Sequence, residues 1–366
     1  MPALNAGAGA TLRPTEDRNG RIGATNGSLT LSQPIFNAST FPQYSQASHQ
    51  RDSEKWGAIQ DRRIVAFDAA RAFLQILTAE TVLDAAKHRL ERARANVDNS
   101  KARAAAELVS VNDTTRQSLE MASAYREVAT SEGNVARARI TLEFLTLVKI
   151  DQTLREPEPT TDAAERFETT QNQVTAALSR RPDVLSTRER TLALEASARE
   201  PLYRLFPSLN LQGQMRLNPT PAAGEVTHEE TVTASLAWAI FDGGFRYADR
   251  RTRLAQAESQ RLDESYLRRS VDIDVRLALA SLRAARDNYH IAEDAMVAAK
   301  KNTEETEILY RQGLARAIEL TDANARRYDA EVSRASAKLS MEQAYLELRY
   351  TLGLGPLDDD PSVPAK

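Results

Sequence analysis

The side chains that most often carry chemistry are scattered along this sequence. Its four histidines are His49, His88, His228 and His290, and none has a second histidine at the spacing of a metal site. Cysteine is absent, which excludes disulfides, thiolate metal ligands and cysteine nucleophiles. The sequence contains no phosphate-binding loop and no grouping of a nucleophile with a base. We therefore predict a protein that is not an enzyme, with no cofactor and no metal.

Composition limits the partners further. The 366 residues are 27% charged and 42% hydrophobic, with a net charge of −3. This balance provides neither a broad basic surface for nucleic acid nor an acidic tail. No run of about 18 apolar residues marks a transmembrane helix or the core of a signal peptide. Membrane strands leave a far weaker signal, so the composition is still compatible with a β-barrel.

The chain repeats itself at an offset of 205 to 206 residues. Ile35-Phe36-Asn37, for example, matches Ile240-Phe241-Asp242. Each copy starts with two short alternating segments, continues as a long helical stretch and reverses into a returning helix. We predict a first repeat over 1–150, an irregular connector over 151–171, a second repeat over 172–355 and a flexible tail over 356–366.

Apolar and polar residues alternate along the short segments, which predicts strands with one apolar face. The predicted strands are residues 3–13, 28–36, 208–217 and 231–241. Roughly 9–11 residues is the length of a tilted strand that crosses a bilayer. We expect the following side chains to face lipid: Leu209, Leu211, Leu236, Trp238 and Ile240.

Four strands cannot close a barrel, and an open sheet edge is not tolerated in lipid. Strands that cross a membrane must therefore be pooled by several copies, and three copies give twelve strands. The polar loops at 14–27 and 218–230 are rich in turn-forming residues, as surface loops are. A soluble sandwich would show the same alternation, so the strands alone do not decide between the two.

Long helices are predicted over about 39–106 and 244–311. A seam of apolar residues runs from Val65 to Val97 in alternating steps of four and three, and its copy begins at Val271. A strict period of 3.5 residues predicts left-handed supercoiling against a partner helix. A second, shorter seam from Phe67 to Leu77 predicts a neighbour on another face, as in a closed ring of helices. A coiled-coil rod without a channel is the alternative.

The returning helices, at about 113–149 and 317–352, are only half as long. A further helix over about 172–203 would complete the wall of the first pair. Its counterpart would stand before Met1, so we expect a wall helix and a signal peptide to be missing from this N-terminus.

Several short motifs occur in one order along the chain. They are Arg181-Pro182-Asp183-Val184, Phe206-Pro207-Ser208-Leu209, Ile240-Phe241-Asp242-Gly243-Gly244, and Tyr310 with Gly313 and Leu320 through Ala323. Their order, spacing and duplication resemble the TolC-like outer-membrane efflux family, from Pro2 to about Gly355. The resemblance implies a mainly α fold with a small β part. It also implies a homotrimer whose twelve-stranded β-barrel in the outer membrane continues as a coiled-coil barrel through the periplasm.

The resemblance also implies a function and partners. The trimer would be a passive exit duct in a Gram-negative outer membrane, in contact with lipid and not with nucleic acid. It would dock with a periplasmic adaptor (membrane fusion) protein and an inner-membrane pump of the RND or ABC type. Small-molecule efflux is the first hypothesis for what the duct exports, and a duct for type I protein secretion is the alternative within the same fold. A periplasmic coiled-coil structural or adaptor protein is the alternative from another class.

Candidate site residues follow from the same resemblance. Glu319 and Asp322, one helical turn apart, match acidic residues that ring the periplasmic entrance, and Asp113 is the equivalent of Glu319 in the first repeat. Tyr310, Gly313 and Arg316 match the region that holds the tip shut. The family's arginine position is occupied by alanine here, with Arg316 beside it. The alternative for the acidic pair is an ordinary solvated helix face.

Overall fold

A computed structural model describes residues 2–12, 23–150, 152, 154, 171–218 and 227–356. Its first half consists of β1 (Ala3–Leu12), β2 (Gly23–Phe36), α1 (Thr40–Ala105) and α2 (Val111–Thr146). The second half begins with α3 (Gln171–Arg180), α4 (Pro182–Ser197) and α5 (Glu200–Tyr203). It continues with β3 (Ser208–Leu217), β4 (His228–Ala237), α6 (Phe245–Arg311) and α7 (Ala317–Thr351). The predicted fold class, mainly α with a small β part and a duplicated unit, is confirmed.

Contacts divide the described residues into two compact units. One falls within 1–54 and 186–265 and contains the strands, and the other falls within 55–185 and 266–366. The predicted division at 150 and 172 into two repeats stays a prediction. Most of the predicted connector and tail, and the middle of both polar loops, lie outside the described residues. None of the described helices is both long enough and apolar enough to cross a membrane.

The four strands form one antiparallel sheet in the order β1-β2-β3-β4. Leu209 lies opposite Leu236, and Leu211 lies opposite Ala234. Residues opposite each other in an antiparallel pair share a face, so these side chains form one apolar surface. Leu236 on that surface is 68% exposed.

Polar side chains occupy the other face of the sheet. The Ser32 hydroxyl donates to Asn210 Oδ1 across β2 and β3 at 3.3 Å. Thr233 of β4 lies opposite Gln212 of β3 on this face. Among the described residues, the outer edges of β1 and β4 have no partner strand. The sheet therefore has two distinct faces and two open edges.

The strand predicted over 231–241 ends earlier, at Ala237. Trp238 and Ile240 therefore follow the strand, which corrects their assignment as strand residues. The Trp238 indole N–H donates to the Leu205 carbonyl at 3.0 Å. The Ala239 carbonyl accepts from Arg246 Nη2 at 2.8 Å. Ala237 pairs with Ser208, the first residue of β3, and Pro207 before it has no N–H with which to continue the ladder.

Both seams of α1 find a neighbouring helix. Ala72 and Ile76 pack against Leu142 of α2. Phe67 and Leu74 pack against Leu346 of α7. Two seams therefore correspond to two neighbours, as the sequence predicts.

The single helix predicted over about 172–203 is three helices. Proline disfavours a helical conformation at the residue before it, so Pro182 separates α3 from α4 at Arg181. The Arg181 guanidinium, 7% exposed, bonds Asp183 at 2.7 Å and Asp274 of α6 at 3.2 Å. These carboxylates outweigh burial and raise the pKa of Arg181. The break is thus anchored to α6.

Candidate functional site

The tip between α6 and α7 is built by a glycine helix stop. Gly313 has a φ of +79°. Its N–H donates to the Tyr310 carbonyl at 3.1 Å, and the Leu314 N–H donates to the Leu309 carbonyl at 2.9 Å. This pair of bonds is the Schellman pattern that satisfies the last carbonyls of a helix. Gly313 therefore ends α6, as the sequence predicts.

The tip between α1 and α2 uses the same pattern without glycine. Glu107 lies 206 residues before Gly313 and has a φ of +55°. Its N–H donates to the Ala104 carbonyl at 3.0 Å, and the Leu108 N–H donates to the Arg103 carbonyl at 2.9 Å. The two tips are therefore alike in backbone geometry and different in sequence.

Tyr310 lies at the centre of a small buried cluster at the tip. Only 3% exposed, it packs with Ala317 and Leu320 of α7. The guanidinium of Arg103, from the end of α1, lies 4.9 Å from the centroid of the Tyr310 ring. Arg103 Nη1 donates to the Tyr310 carbonyl at 2.9 Å, and Nη2 donates to the Arg311 carbonyl at 2.8 Å. Arg103 thus joins the C-terminal ends of α1 and α6.

A second contact, further from the tip than that of Arg103, joins the hairpin of α1 and α2 to the hairpin of α6 and α7. Gln117 of α2 is 1% exposed. Its Nε2 donates to the Thr321 hydroxyl of α7 at 3.1 Å. Sequence reasoning missed both Arg103 and Gln117. Leu309 stands 206 residues after Arg103, and Ala323 stands 206 after Gln117, so the duplication carried no signal for either.

Glu319 and Asp322 are exposed on the first turns of α7, and each has its own arginine. The Glu319 carboxylate accepts from the backbone N–H and from Nε of Arg316, both at 3.1 Å. These two bonds lower the pKa of Glu319. Asp322 pairs with Arg326 at 2.9 Å. Among the predicted gate residues, Gly313 therefore bonds Tyr310, whereas Arg316 bonds Glu319.

Asp113 occupies the first turn of α2 and is half-buried. Ser110 is the N-cap of this helix, and its side chain accepts from the Asn112 N–H at 3.2 Å. No cation pairs with Asp113 among the described residues. Asp113 and Glu319 thus share one place, the N-terminal turn of a returning helix, where the helix dipole favours negative charge, and Asp322 lies one turn further along α7.

The junction between β4 and α6 is tied by one buried ion pair. Asp242 caps α6 by accepting from the N–H groups of Gly244 and Arg246, both at 3.1 Å. Arg246, 4% exposed, also donates from Nε to Asp242 at 2.7 Å. In the first copy Asn37 takes this role and accepts from the Ser39 N–H at 3.2 Å. Each long helix therefore starts at a fixed point beyond the sheet.

The helical hairpins carry exposed carboxylates near their tips, and the sheet has an exposed apolar face. Residues 174–354 match the family model described as outer membrane efflux protein. The chain is similar to the outer membrane protein TolC of Vibrio cholerae, with 22% identity over 96% of this chain and 82% of the relative. It is also similar to the pyoverdine export outer membrane protein OpmQ of Pseudomonas aeruginosa, with 24% identity over 100% of this chain and 80% of the relative.

Solved structures show the same fold. The Campylobacter jejuni CmeC outer membrane channel aligns with a TM-score of 0.76 and 16% identity, over 98% of this chain and 79% of that chain. CusC aligns with a TM-score of 0.78 and 14% identity, over 97% of this chain and 84% of that chain. Residues 174–354 therefore carry an outer membrane efflux protein domain, and the relatives that the chain resembles along nearly its whole length are outer membrane proteins.

Proposed function

We propose that this chain forms the passive exit duct of a tripartite efflux pump in the outer membrane of a Gram-negative bacterium. One observation carries the proposal: a two-faced sheet with an exposed apolar side continues into helices of 66 and 67 residues. At about 1.5 Å per residue, such helices are about 100 Å long. Length on this scale suits a conduit that leaves the membrane and reaches into the periplasm.

The open edges of β1 and β4 support a homotrimer. Unpaired strand edges in lipid leave backbone groups without hydrogen-bond partners, at a cost of several kcal/mol each. Three copies placed head to tail pair every edge and close a barrel of twelve strands. Leu209, Leu211 and Leu236 then face lipid, and the polar face lines the interior.

The transported class is small molecules. OpmQ is named for the export of pyoverdine, and the match covers 100% of this chain and 80% of OpmQ. A duct for type I protein secretion would use the same passive fold, and no contact in the structure favours it. We assign a periplasmic adaptor protein and an inner-membrane pump of the RND or ABC type as partners.

The first test is localisation and assembly. The protein should fractionate with the outer membrane, migrate as a trimer in mild detergent and form conducting pores in planar bilayers. Recovery of a monomer that opens no pore would overturn the proposal.

We place the channel entrance at Glu319, Asp322 and Asp113. Three copies bring nine carboxylates to one opening, and a ring of carboxylates selects cations. The arginines that pair with Glu319 and Asp322 are themselves exposed, with 83% and 71% of their side-chain areas accessible. Solvated pairs of this kind bind weakly, so a divalent cation in the pore can compete for the carboxylates.

Added divalent cations should therefore lower the conductance of the native channel. The double change Glu319→Gln and Asp322→Asn should reduce that block by about tenfold or more. Glu304→Gln, an exposed site on α6 outside the ring, is the matched control and should leave it unchanged. Equal block in all three channels would refute the assignment of the ring.

A further inference from the structure

Aromatic side chains collect where the strands meet the helices. They are Phe36, Phe41, Tyr44, Tyr203, Phe206, Trp238, Phe241, Phe245 and Tyr247. Many are strongly exposed: Tyr44 at 79% and Phe241 at 86%. Within the four strands, Phe36 is the only aromatic residue. Exposed aromatic side chains at one end of membrane strands mark the level of the lipid headgroups.

A groove opens on the helical side of this aromatic band. It lies between α6 and the segment joining α4 to α5 and has a volume of about 500 Å³. Arg199 and Arg250 line it together with Leu254 and the buried Ala257. Neither arginine side chain has a hydrogen-bond or ion-pair partner within the part of the chain that the structure describes.

At the end of the groove farthest from the aromatic band, the positive charge of an arginine is neutralised by carboxylates. Arg261 bonds Glu195 at 2.8 Å and also pairs with Glu258. Net positive charge is therefore confined to the end nearest the aromatic band, where Arg199 and Arg250 stand. Leu254 adds a 43% exposed apolar side chain next to that charge.

The depth of Arg250 matches a phosphate layer. It stands five residues into α6, about 8 Å along the helix axis. The headgroup layer of a bilayer extends roughly 5 to 8 Å beyond the hydrocarbon core on each side. An arginine at that depth meets lipid phosphate, which its planar group binds with two hydrogen bonds.

We infer that Arg199 and Arg250 form a binding site for the phosphate of an anionic phospholipid in the periplasmic leaflet, whose acyl chain lies against Leu254. The inference rests on the proposed insertion of the strands into a membrane. It assigns to the duct a lipid partner with a defined headgroup charge. The site anchors the level at which the helices leave the bilayer.

Quenching of Trp238 fluorescence tests the site, because this side chain is 58% exposed in the aromatic band. The background is Trp56→Phe, which leaves Trp238 as the only tryptophan of the full chain. The protein is inserted into phosphatidylcholine vesicles containing a minor fraction of acyl-brominated phosphatidylglycerol or acyl-brominated phosphatidylcholine. We expect phosphatidylglycerol to be enriched at Trp238 on the order of tenfold.

The double change Arg199→Gln and Arg250→Gln should abolish this preference and keep the quenching by phosphatidylcholine. Arg188→Gln with Arg190→Gln, two exposed arginines farther along α4, is the matched control and should keep the preference. Equal quenching by both lipids in the parent chain would overturn the lipid site alone. Absence of quenching by either lipid would overturn membrane insertion, and with it the proposed function. Loss of the preference in millimolar inorganic phosphate would identify a free-phosphate site and overturn the lipid assignment.

Discussion

At the end of α1, Glu107 holds a left-handed backbone conformation that glycine holds at the end of α6. The φ values are +55° for Glu107 and +79° for Gly313. The returning helices repeat the contrast, with Leu147 at +56° and Gly353 at +76°. An L side chain costs roughly 1–2 kcal/mol in this region. Both helix ends of the first repeat are therefore strained where those of the second are relaxed.

Glu107→Gly should relieve one of these strains and stabilise the first tip by about 1 kcal/mol. The measurement is the hydrogen-exchange protection of the Leu108 amide, which closes the turn. Gly313→Ala should lower the protection of the Leu314 amide by a similar amount. Nothing lies within 4 Å of the added Cβ at Gly313, so that effect comes from the backbone alone. Unchanged hydrogen-exchange protection of these amides in both variants would contradict the backbone strain at Glu107.

Burial raises the pKa of Glu342 on α7 above its usual range. A raised folded-state pKa favours the folded protein below the unfolded pKa of about 4.5, and this contribution is lost as pH rises through the folded value. Glu342→Gln mimics the neutral form, so it should raise thermal stability at pH 8 and have little effect near pH 4.

Glu347→Gln is the matched control for this titration. Glu347 pairs with Arg71 at 2.6 Å, and 47% of its side-chain area is accessible. Glu347→Gln should lower the thermal stability at pH 8 or leave it unchanged. A pH-independent effect of Glu342→Gln would refute the role of burial.

At the scale of the elements, Arg103 makes the strongest link between the two hairpins at the tip. It stacks on Tyr310 and donates to two carbonyls at the end of α6. A stacked cation contributes about 0.5–2 kcal/mol and each hydrogen bond about 1 kcal/mol. Arg103→Gln should therefore accelerate amide exchange across residues 307–316 by about tenfold or more.

Arg94→Gln provides the comparison, because Arg94 stacks on Tyr125 at the same 4.9 Å within a single hairpin. It should leave exchange at 307–316 unchanged. Equal acceleration by both changes would mean that the link between hairpins has no special effect.

Elements with a regular period could be predicted from the sequence. The long helices, predicted over 39–106 and 244–311, compare with Thr40–Ala105 and Phe245–Arg311. A pattern repeated over many turns averages out local exceptions such as Val65, a seam residue that is 48% exposed.

Features set by single contacts could not be predicted in this way. Alternation continues past Ala237, yet the strand ends there because its partner strand β3 begins only at Ser208, directly after Pro207. Arg103 belongs to no period and has no copy in the second repeat. The break at Pro182 did carry a local signal, but a continuous helical pattern on either side of it concealed the interruption.

At the scale of the whole molecule, the proposed trimer can be tested with cysteine chemistry, because the native chain has no cysteine. Ala6→Cys on β1 and Val232→Cys on β4 place thiols at the two outer edges of the sheet. Within one chain these edges lie three strand spacings apart, about 14 Å. A bis-maleimide linker shorter than this distance should therefore join cysteines of different copies only. The cross-linked products should form a ladder that ends at the trimer. Single-cysteine chains should stay monomeric, because equivalent edges of neighbouring copies lie four strand spacings apart, about 19 Å. A ladder continuing beyond three would mean an open assembly.

The two open edges of the sheet also bear on how the protein is made. In the proposed trimer, a single copy cannot complete the hydrogen bonding of its own strands, so folding of the sheet and association of the copies are expected to be one event. The yield of folded protein should then depend steeply on concentration. Before it pairs with neighbouring copies, each copy exposes two unpaired strand edges that can hydrogen-bond to any other extended chain. The cell must keep new copies apart from unrelated strands and bring like copies together at one place.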